Sequence, residues 1–246
     1  PMSDYLPRVA VDWHRTLEQI LAVAQKSGPS GLLVFDLDST VFDNRPRQAR
    51  IVREFGAAKG LRGLTQCQPW HFTSGWDLRG ATNACGLTPQ ESEALYPELK
   101  AFWQDRFFTS DYCRDDIEIV GAPRYLHALD YVKARVIYVT GRHEGMRTGT
   151  EACLERCRMP MPSHGGQVQL LMKPLLPDDD DAYKRVAHEQ LKTMGTVLAA
   201  FDNEPMHIND YAKKFPEAIP VHLATDHSGR DVKLDPRCIS IPHFAT

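Results

Sequence analysis

No apolar stretch in this sequence approaches the ~20 residues needed to cross a bilayer, which argues against a membrane-spanning helix. The first residues, PMSDYLPRVAVDWHR, lack the apolar core of a secretory signal. Pro1 ahead of Met2 is read as a cloning remnant, with Met2 as the natural start. Internal repeats and low-complexity tracts are missing, so a solenoid or a disordered linker is not expected. A basic surplus is missing too. Over 246 residues, 29 Lys and Arg face 32 Asp and Glu, for a net charge of -3. That balance gives no general attraction to nucleic acid or to an anionic membrane. The six cysteines (67, 85, 113, 153, 157 and 238) form no C-x-x-C pair, and a chain of this length has no need of disulfide staples. The expectation is a reduced, cytoplasmic protein. Cys153 and Cys157 lie four apart on a predicted helix with no paired His or Cys motif beside them, so they are read as buried thiols and not as zinc ligands.

What is present is a rhythm. Residues 11–27 have the apolar spacing of a helix, stopped by GPSG. GLLVFD (31–36) is a short, continuous apolar run, as in a strand buried on both faces. From about residue 115, strands and helices alternate. The predicted strands are IEIV (117–120), RVIYVT (135–140), QVQLLM (167–172), TVLAAFD (196–202) and IPVHLA (219–224), with a helical pattern between each pair. Such alternation implies a parallel sheet with helices on both faces. Residues 43–114 interrupt it with predicted helices at 47–60 and 88–108. The second opens on a capping pattern, Thr88 with Glu91, and is expected to kink or restart at Pro97. The interruption is read as an inserted helical lid, with 1–42 and 115–246 as the α/β core. DDDD at 178–181 is read as a loop feeding a helix N-terminus, where acids are favoured.

In open parallel sheets ligands bind beyond the carboxyl ends of the strands. GLLVFD ends in Asp36, with Asp38 two residues on. RVIYVT ends in Thr140, followed by Gly141 and Arg142. TVLAAFD ends in Asp202, followed by Asn203. QVQLLM is followed by Lys173, and the next helix begins with Lys184 in its first turn. Singly, each has a bland reading: a turn cap, an ordinary strand residue, an Asx turn. Together, an acid pair, a hydroxyl, a lysine and another acid in this order suit phosphoryl chemistry. One carboxylate attacks phosphorus, splitting hydrolysis into two easier steps. A second, two residues on, protonates the leaving oxygen and then deprotonates water. Mg2+ takes hard oxygen ligands, which Asp36 and Asp202 supply. A hydroxyl and an ammonium hold the remaining phosphate oxygens.

FDLDST, VTGR, Lys184 and FDN resemble the four motifs of the haloacid dehalogenase-like (HAD) hydrolase superfamily, over residues 30–42 and 115–225. The resemblance implies a Rossmann-like three-layer core and a C1-type cap between motifs one and two. It implies Asp36 as nucleophile and Asp38 as general acid/base, with Asp36, Asp38 (through its carbonyl) and Asp202 around Mg2+. Thr140, Gly141 and Lys184 would bind the substrate phosphate. Asp180 to Lys184 also resembles the D-x-x-x-K pattern of the phosphatase module of polynucleotide kinase-phosphatases. That pattern favours Lys184 over Lys173 as the motif-three lysine. Asn203, standing where a second acid is common, would orient Asp202 or hold a water of the metal.

Arg47 and Arg142 are further candidates for substrate binding; Arg45 and Arg147 lie close to them in sequence. Arg142 is as easily read as the partner of an acid. Of the lid aromatics (Trp70, Phe72, Trp76, Phe102, Trp103, Phe107, Phe108), most are expected in the lid's own core and a minority at the cleft, with His71 structural. The expected function is a Mg2+-dependent phosphomonoester hydrolase working through an aspartyl-phosphate on a small-molecule phosphate, as monomer or homodimer. The alternatives are a nucleic-acid 3'-end phosphatase, or a phosphotransferase or mutase on the same core. A dehalogenase would need neither Asp38 nor Asp202, a pure binding module no general acid, and a receiver domain no lid.

Overall fold

The sheet is built around Gly31–Phe35 (β1), whose five residues are all buried. In the computed structural model, which describes residues 4–246, β1 lies at the centre of a six-stranded parallel sheet. Pro1 and Met2, the expected remnant and start, lie outside the described residues. Arg135–His143 (β4) and Thr196–Asp202 (β6) flank β1. Gln169–Lys173 (β5) lies outside β4, and Ile219–Leu223 (β7) and Ile239–Ile241 (β8) lie outside β6. Phe35 is in register with Tyr138 on one side and Phe201 on the other.

Side chains alternate across a strand, so each strand feeds two cores. Leu33, Phe35, Val136, Tyr138 and Phe201 pack with Leu17 and Ile20 of α1 (His14–Ser27), Leu126 of α6 (Ala122–Tyr131) and Leu154 of α7 (Arg147–Arg156). Leu32, Val34, Ile137, Val139 and Ala200 pack on the opposite face. Their partners are Ala187 and Leu191 of α8 (Asp180–Met194) and Ile208 and Tyr211 of α9 (Pro205–Lys214). The expected three-layer α/β architecture is therefore the observed one. Among the described residues no helix is long and apolar enough to cross a membrane.

The chain leaves the sheet through Phe42–Asp43 (β2) and returns through Ile117–Glu118 (β3), which pair antiparallel as a two-stranded ribbon. This corrects the expectation for IEIV. Both β3 residues are exposed, and a strand open to water on both faces has nothing to gain from the middle of a parallel sheet. A three-residue strand, β8, was not foreseen, being too short to show a period. Between β2 and β3 run α2 (Arg45–Lys59), α3 (Leu78–Ala84), α4 (Pro89–Phe107) and α5 (Ser110–Cys113). Ala49, Val52, Phe55, Leu64, Cys67, Phe72, Leu78 and Leu99 form a hydrophobic cluster of their own there. The α4 helix is capped by Thr88 and Glu91 and continues as one element through Pro97 instead of restarting. Phe72 is buried in this cluster and Phe102 and Trp103 pack on it, whereas Trp70 and Trp76 are exposed.

Candidate active site

The turn after β1 holds two carboxylates in different surroundings. The Asp36 N–H donates to the Phe201 carbonyl at 3.0 Å, so pairing with β6 continues up to the first acid. The amides of Thr40, Val41 and Phe42 then converge on the Leu37 carbonyl at 2.9–3.1 Å. Ser39 takes φ 60°, a left-handed conformation uncommon for a residue with a side chain. Leu37, Val41 and Phe42 are fully buried and anchor the turn.

Lys184 stands between the first and last strand-end acids. Its Nζ donates to Asp36 Oδ1 at 2.9 Å and to Asp202 Oδ2 at 2.7 Å, with all three side chains buried. One ammonium cannot balance two buried carboxylates. Burial raises Asp36, Lys184 lowers it, and the nearby Asp202 and Asp38 raise it again, leaving it at about 7. Burial also disfavours the charged form of Asp202. Lys184 and then His207 outweigh that, and the Glu204 N–H donates to its Oδ1 at 2.9 Å, so Asp202 stays below the usual range. Lys173 is placed elsewhere, donating to Asp180 Oδ1 at 2.7 Å and to the Leu176 carbonyl at 3.0 Å.

Asp38 has the opposite surroundings. Arg142 Nε and Nη2 donate to its two oxygens at 3.0 and 2.8 Å, and Arg47 Nη2 donates at 2.9 Å. Burial alone would raise its pKa, but the two guanidiniums hold it far below the ordinary carboxylate range. Both arginines also bond Asp116, which is fully buried: Arg47 at 3.0 Å and Arg142 at 2.5 Å. Asp116, at the start of the returning ribbon, is the residue that reading the sequence missed. Asp116→Ala should cost ~3 kcal/mol or more in urea unfolding, because two buried guanidiniums would then share Asp38 alone. A loss below ~1 kcal/mol would show that the pair is not held by Asp116.

The other predicted residues surround the same strand ends. Thr140 is buried, and its Oγ1 accepts the Arg142 N–H at 3.0 Å. A Cβ at Gly141 would lie 2.9–3.0 Å from the Asp180 carboxyl, so a larger residue here would have to turn that exposed side chain aside. Asn203 is occupied structurally: its Oδ1 accepts from Thr40 Oγ1 at 3.2 Å and its Nδ2 donates to the Asp226 carbonyl at 2.6 Å. Asp226 in turn accepts from Ser74 Oγ and the Gly75 N–H, both at 2.7 Å, joining the helical segment to the sheet's edge. Arg45 pairs with Asp43 and Arg147 with Glu144 and Glu151, so neither turns toward the aspartates.

The donor set suits a hard divalent cation. Two buried carboxylates face one another across a single lysine, and the surplus negative charge is what a cation would neutralise. Asp38 does not supply a third carboxylate to that point, since its oxygens are engaged by the arginines.

One turn after Lys184, His188 is buried with its Nε2 unpartnered. Burial, with help from Lys184, holds it down to about 4. An unfolded chain protonates this histidine near 6.5 and the folded chain does not, so it removes stability as pH falls from 6.5 toward 4. Asp36, raised to about 7, acts in the opposite direction over the same range. The histidine's share is therefore read as a difference. His188→Leu should be about as stable as the parent at pH 7.5 and up to ~3 kcal/mol more stable at pH 4.5 in urea melts. A pH-independent difference would show that His188 is not held neutral.

No protein-family model matches the chain, and no curated protein matches it. Solved structures do. Protein tyrosine kinase A of Mycobacterium tuberculosis is 17% identical, with 89% of this chain and 94% of that chain covered, at a TM-score of 0.50. A protein of Burkholderia xenovorans described as a haloacid dehalogenase-like hydrolase is 13% identical, covering 87% and 93%, also at 0.50. The class C acid phosphatase of Bacillus anthracis is 14% identical, covering 90% and 81%, at 0.49. At such identities the likeness is one of fold.

Proposed function

We propose that this chain, which has the haloacid dehalogenase-like fold, hydrolyses phosphate monoesters through an aspartyl-phosphate on Asp36. The observation that supports this best is Lys184, from α8, bridging Asp36 at the end of β1 and Asp202 at the end of β6, while Asp38 sits apart in an arginine clamp. The site thus holds two first-motif acids in different surroundings; without a cation Asp36 is pushed toward its protonated form, and a bound divalent ion would favour the carboxylate that attack requires.

In this reading an Asp36 carboxylate oxygen attacks phosphorus and the ester P–O bond breaks. The leaving oxygen takes a proton from Asp38. Water then gives a proton to Asp38 and attacks the phosphoryl group, releasing phosphate and regenerating Asp36. Lys184, Thr140 and the backbone at Gly141 steady the non-bridging oxygens. When bound by Asp36 and Asp202, Mg2+ would offset their charge together with that of the phosphate. The arginine clamp favours deprotonated Asp38, the form that accepts the proton of water. The negative charge of a substrate phosphate beside the clamp would raise the proton affinity of Asp38 for the first step. The helical segment over the strand ends favours a small phosphorylated molecule as substrate.

The test is phosphate release from p-nitrophenyl phosphate, nucleotides, sugar phosphates and an oligonucleotide 3'-phosphate, with Mg2+ and with EDTA. Release should require the metal and be greater for a small ester than for the oligonucleotide. Release from the oligonucleotide alone, falling with salt, would transfer the reading to nucleic-acid ends. Asp38→Asn should slow release by ~10²–10⁴-fold for an alkyl phosphate and much less for p-nitrophenyl phosphate, whose leaving group needs no proton. Equal losses for both would refute the proton-transfer role.

A further inference from the structure

Away from the acids, the helical segment gathers a second set of ligands. Cys67 follows the turn Leu64–Gln66, His71 ends the turn Pro69–His71, and Cys85 caps the C-terminus of α3. One ligand atom from each lies within 4.8 Å of the other two. Among the described residues no other trio of His, Cys, Asp or Glu comes so close. Both cysteines are free thiols; Cys67 is fully buried, and His71 and Cys85 are half-buried at its outer side.

We propose that Cys67, His71 and Cys85 form a binding site for a borderline-soft divalent ion of the zinc class. Two sulfurs and an imidazole are the donors such an ion selects, whereas Mg2+ and Ca2+ take oxygen. In a tetrahedral zinc site neighbouring ligand atoms stand about 3.5 Å apart, so small side-chain rotations would close this trio. Three protein ligands leave the fourth position to water or an exchangeable group. The hydrogen bonds of the empty arrangement are few. His71 Nδ1 accepts the Gln68 N–H at 2.9 Å, and the Cys67 thiol has a long contact, 3.9 Å, to the Gln68 carbonyl besides its interaction with the Cys85 thiol. Coordination through Nδ1 would replace the Gln68 hydrogen bond. Burial of Cys67, added to the neighbouring Cys85, strongly favours its protonated thiol. A bound cation reverses that preference, so loading releases protons.

The ligands come from three short pieces of chain that share no helix or sheet. Between His71 and Cys85 runs the loop whose Ser74 and Gly75 bond Asp226. A metal tie would therefore brace the part of the segment that lies against the strand ends, in a region whose own hydrophobic cluster is small.

Cobalt(II) is the probe, added to reduced, chelator-treated protein carrying no affinity tag. A thiolate-to-cobalt absorption band should grow to about one equivalent per chain and vanish on adding Zn2+. It should be lost in Cys67→Ser and Cys85→Ser, weakened in His71→Ala, and kept in Asp202→Asn and in Cys153→Ser. Zn2+ should also raise the thermal midpoint of the parent by several degrees. No band in the parent protein overturns the proposal without needing any variant to fold. So does a band that survives both the Cys67 and Cys85 changes. A Cys67–Cys85 disulfide that forms as fast with excess Zn2+ as without it overturns it too, since a coordinated thiol pair is protected.

Discussion

Asp36→Asn should lower turnover by ~10⁴-fold or more and leave the fold intact. The carboxamide keeps the shape of the side chain but lacks the anionic oxygen that attacks phosphorus. Its effect on stability should be in the favourable direction. Asp36 is buried, shares one ammonium with Asp202, and is pushed up to about 7. At pH 8 the parent therefore holds a charge there that its surroundings resist, and the amide does not. The thermal midpoint of the variant should equal or exceed that of the parent at pH 8, with the difference shrinking toward pH 5 as Asp36 takes up its proton. Phosphate release and melting at the two pH values check both halves. Turnover within tenfold of the parent would remove Asp36 from the nucleophile's role.

Lys184→Met should be the most damaging single change to stability, at ~3–5 kcal/mol near pH 8. It leaves Asp36 and Asp202 buried beside each other without a cation. Asp202→Asn in the same chain removes one of the opposed charges, so Lys184→Met/Asp202→Asn should recover most of the loss while remaining inactive. Lowering the pH should also restore the single variant, because protonating Asp36 relieves the repulsion. Urea unfolding of parent, both singles and the double closes the cycle. Additive losses would mean that the lysine contributes packing and not charge.

Much of this was legible before folding, for a definite reason. Asp36 follows β1, Thr140 closes the regular, buried pairing of β4 and Asp202 ends β6, and the sheet order places those strands side by side with β1 in the middle. A polar residue closing an apolar run therefore had one place to go, the carboxyl edge. Lys184 was legible because Asp180 opens a helix starting beside that edge and Lys184 stands one turn further on, on the same face. Asp116 was not. It follows Asp115 in a run that looks solvated, and its burial is decided by Arg47 and Arg142, which lie 69 and 26 residues away. Arg142 could be assigned to phosphate or to an acid, and only the folded chain shows two acids on it. IEIV carried the composition of a core strand but not the covering helices. The grouping of Cys67, His71 and Cys85 depends on how a turn and the end of α3 meet, which spacing does not encode.

The arginine clamp also decides where the helical segment can yield. Its outgoing and returning strands are paired with each other, and Ile119 N–H donates to the Val41 carbonyl at 2.8 Å. Just beyond, Arg47 of α2 is locked to Asp116 and Asp38. The root of the segment is thus stiff and tied directly to the chemistry. By contrast, the far rim touches the sheet side through Asp226 and the short Ser74–Gly75 turn. A door fixed at its hinge and latched at its rim is gated by the latch. Opening the segment at its rim therefore has to break the two hydrogen bonds to Asp226, while the root can stay as it is.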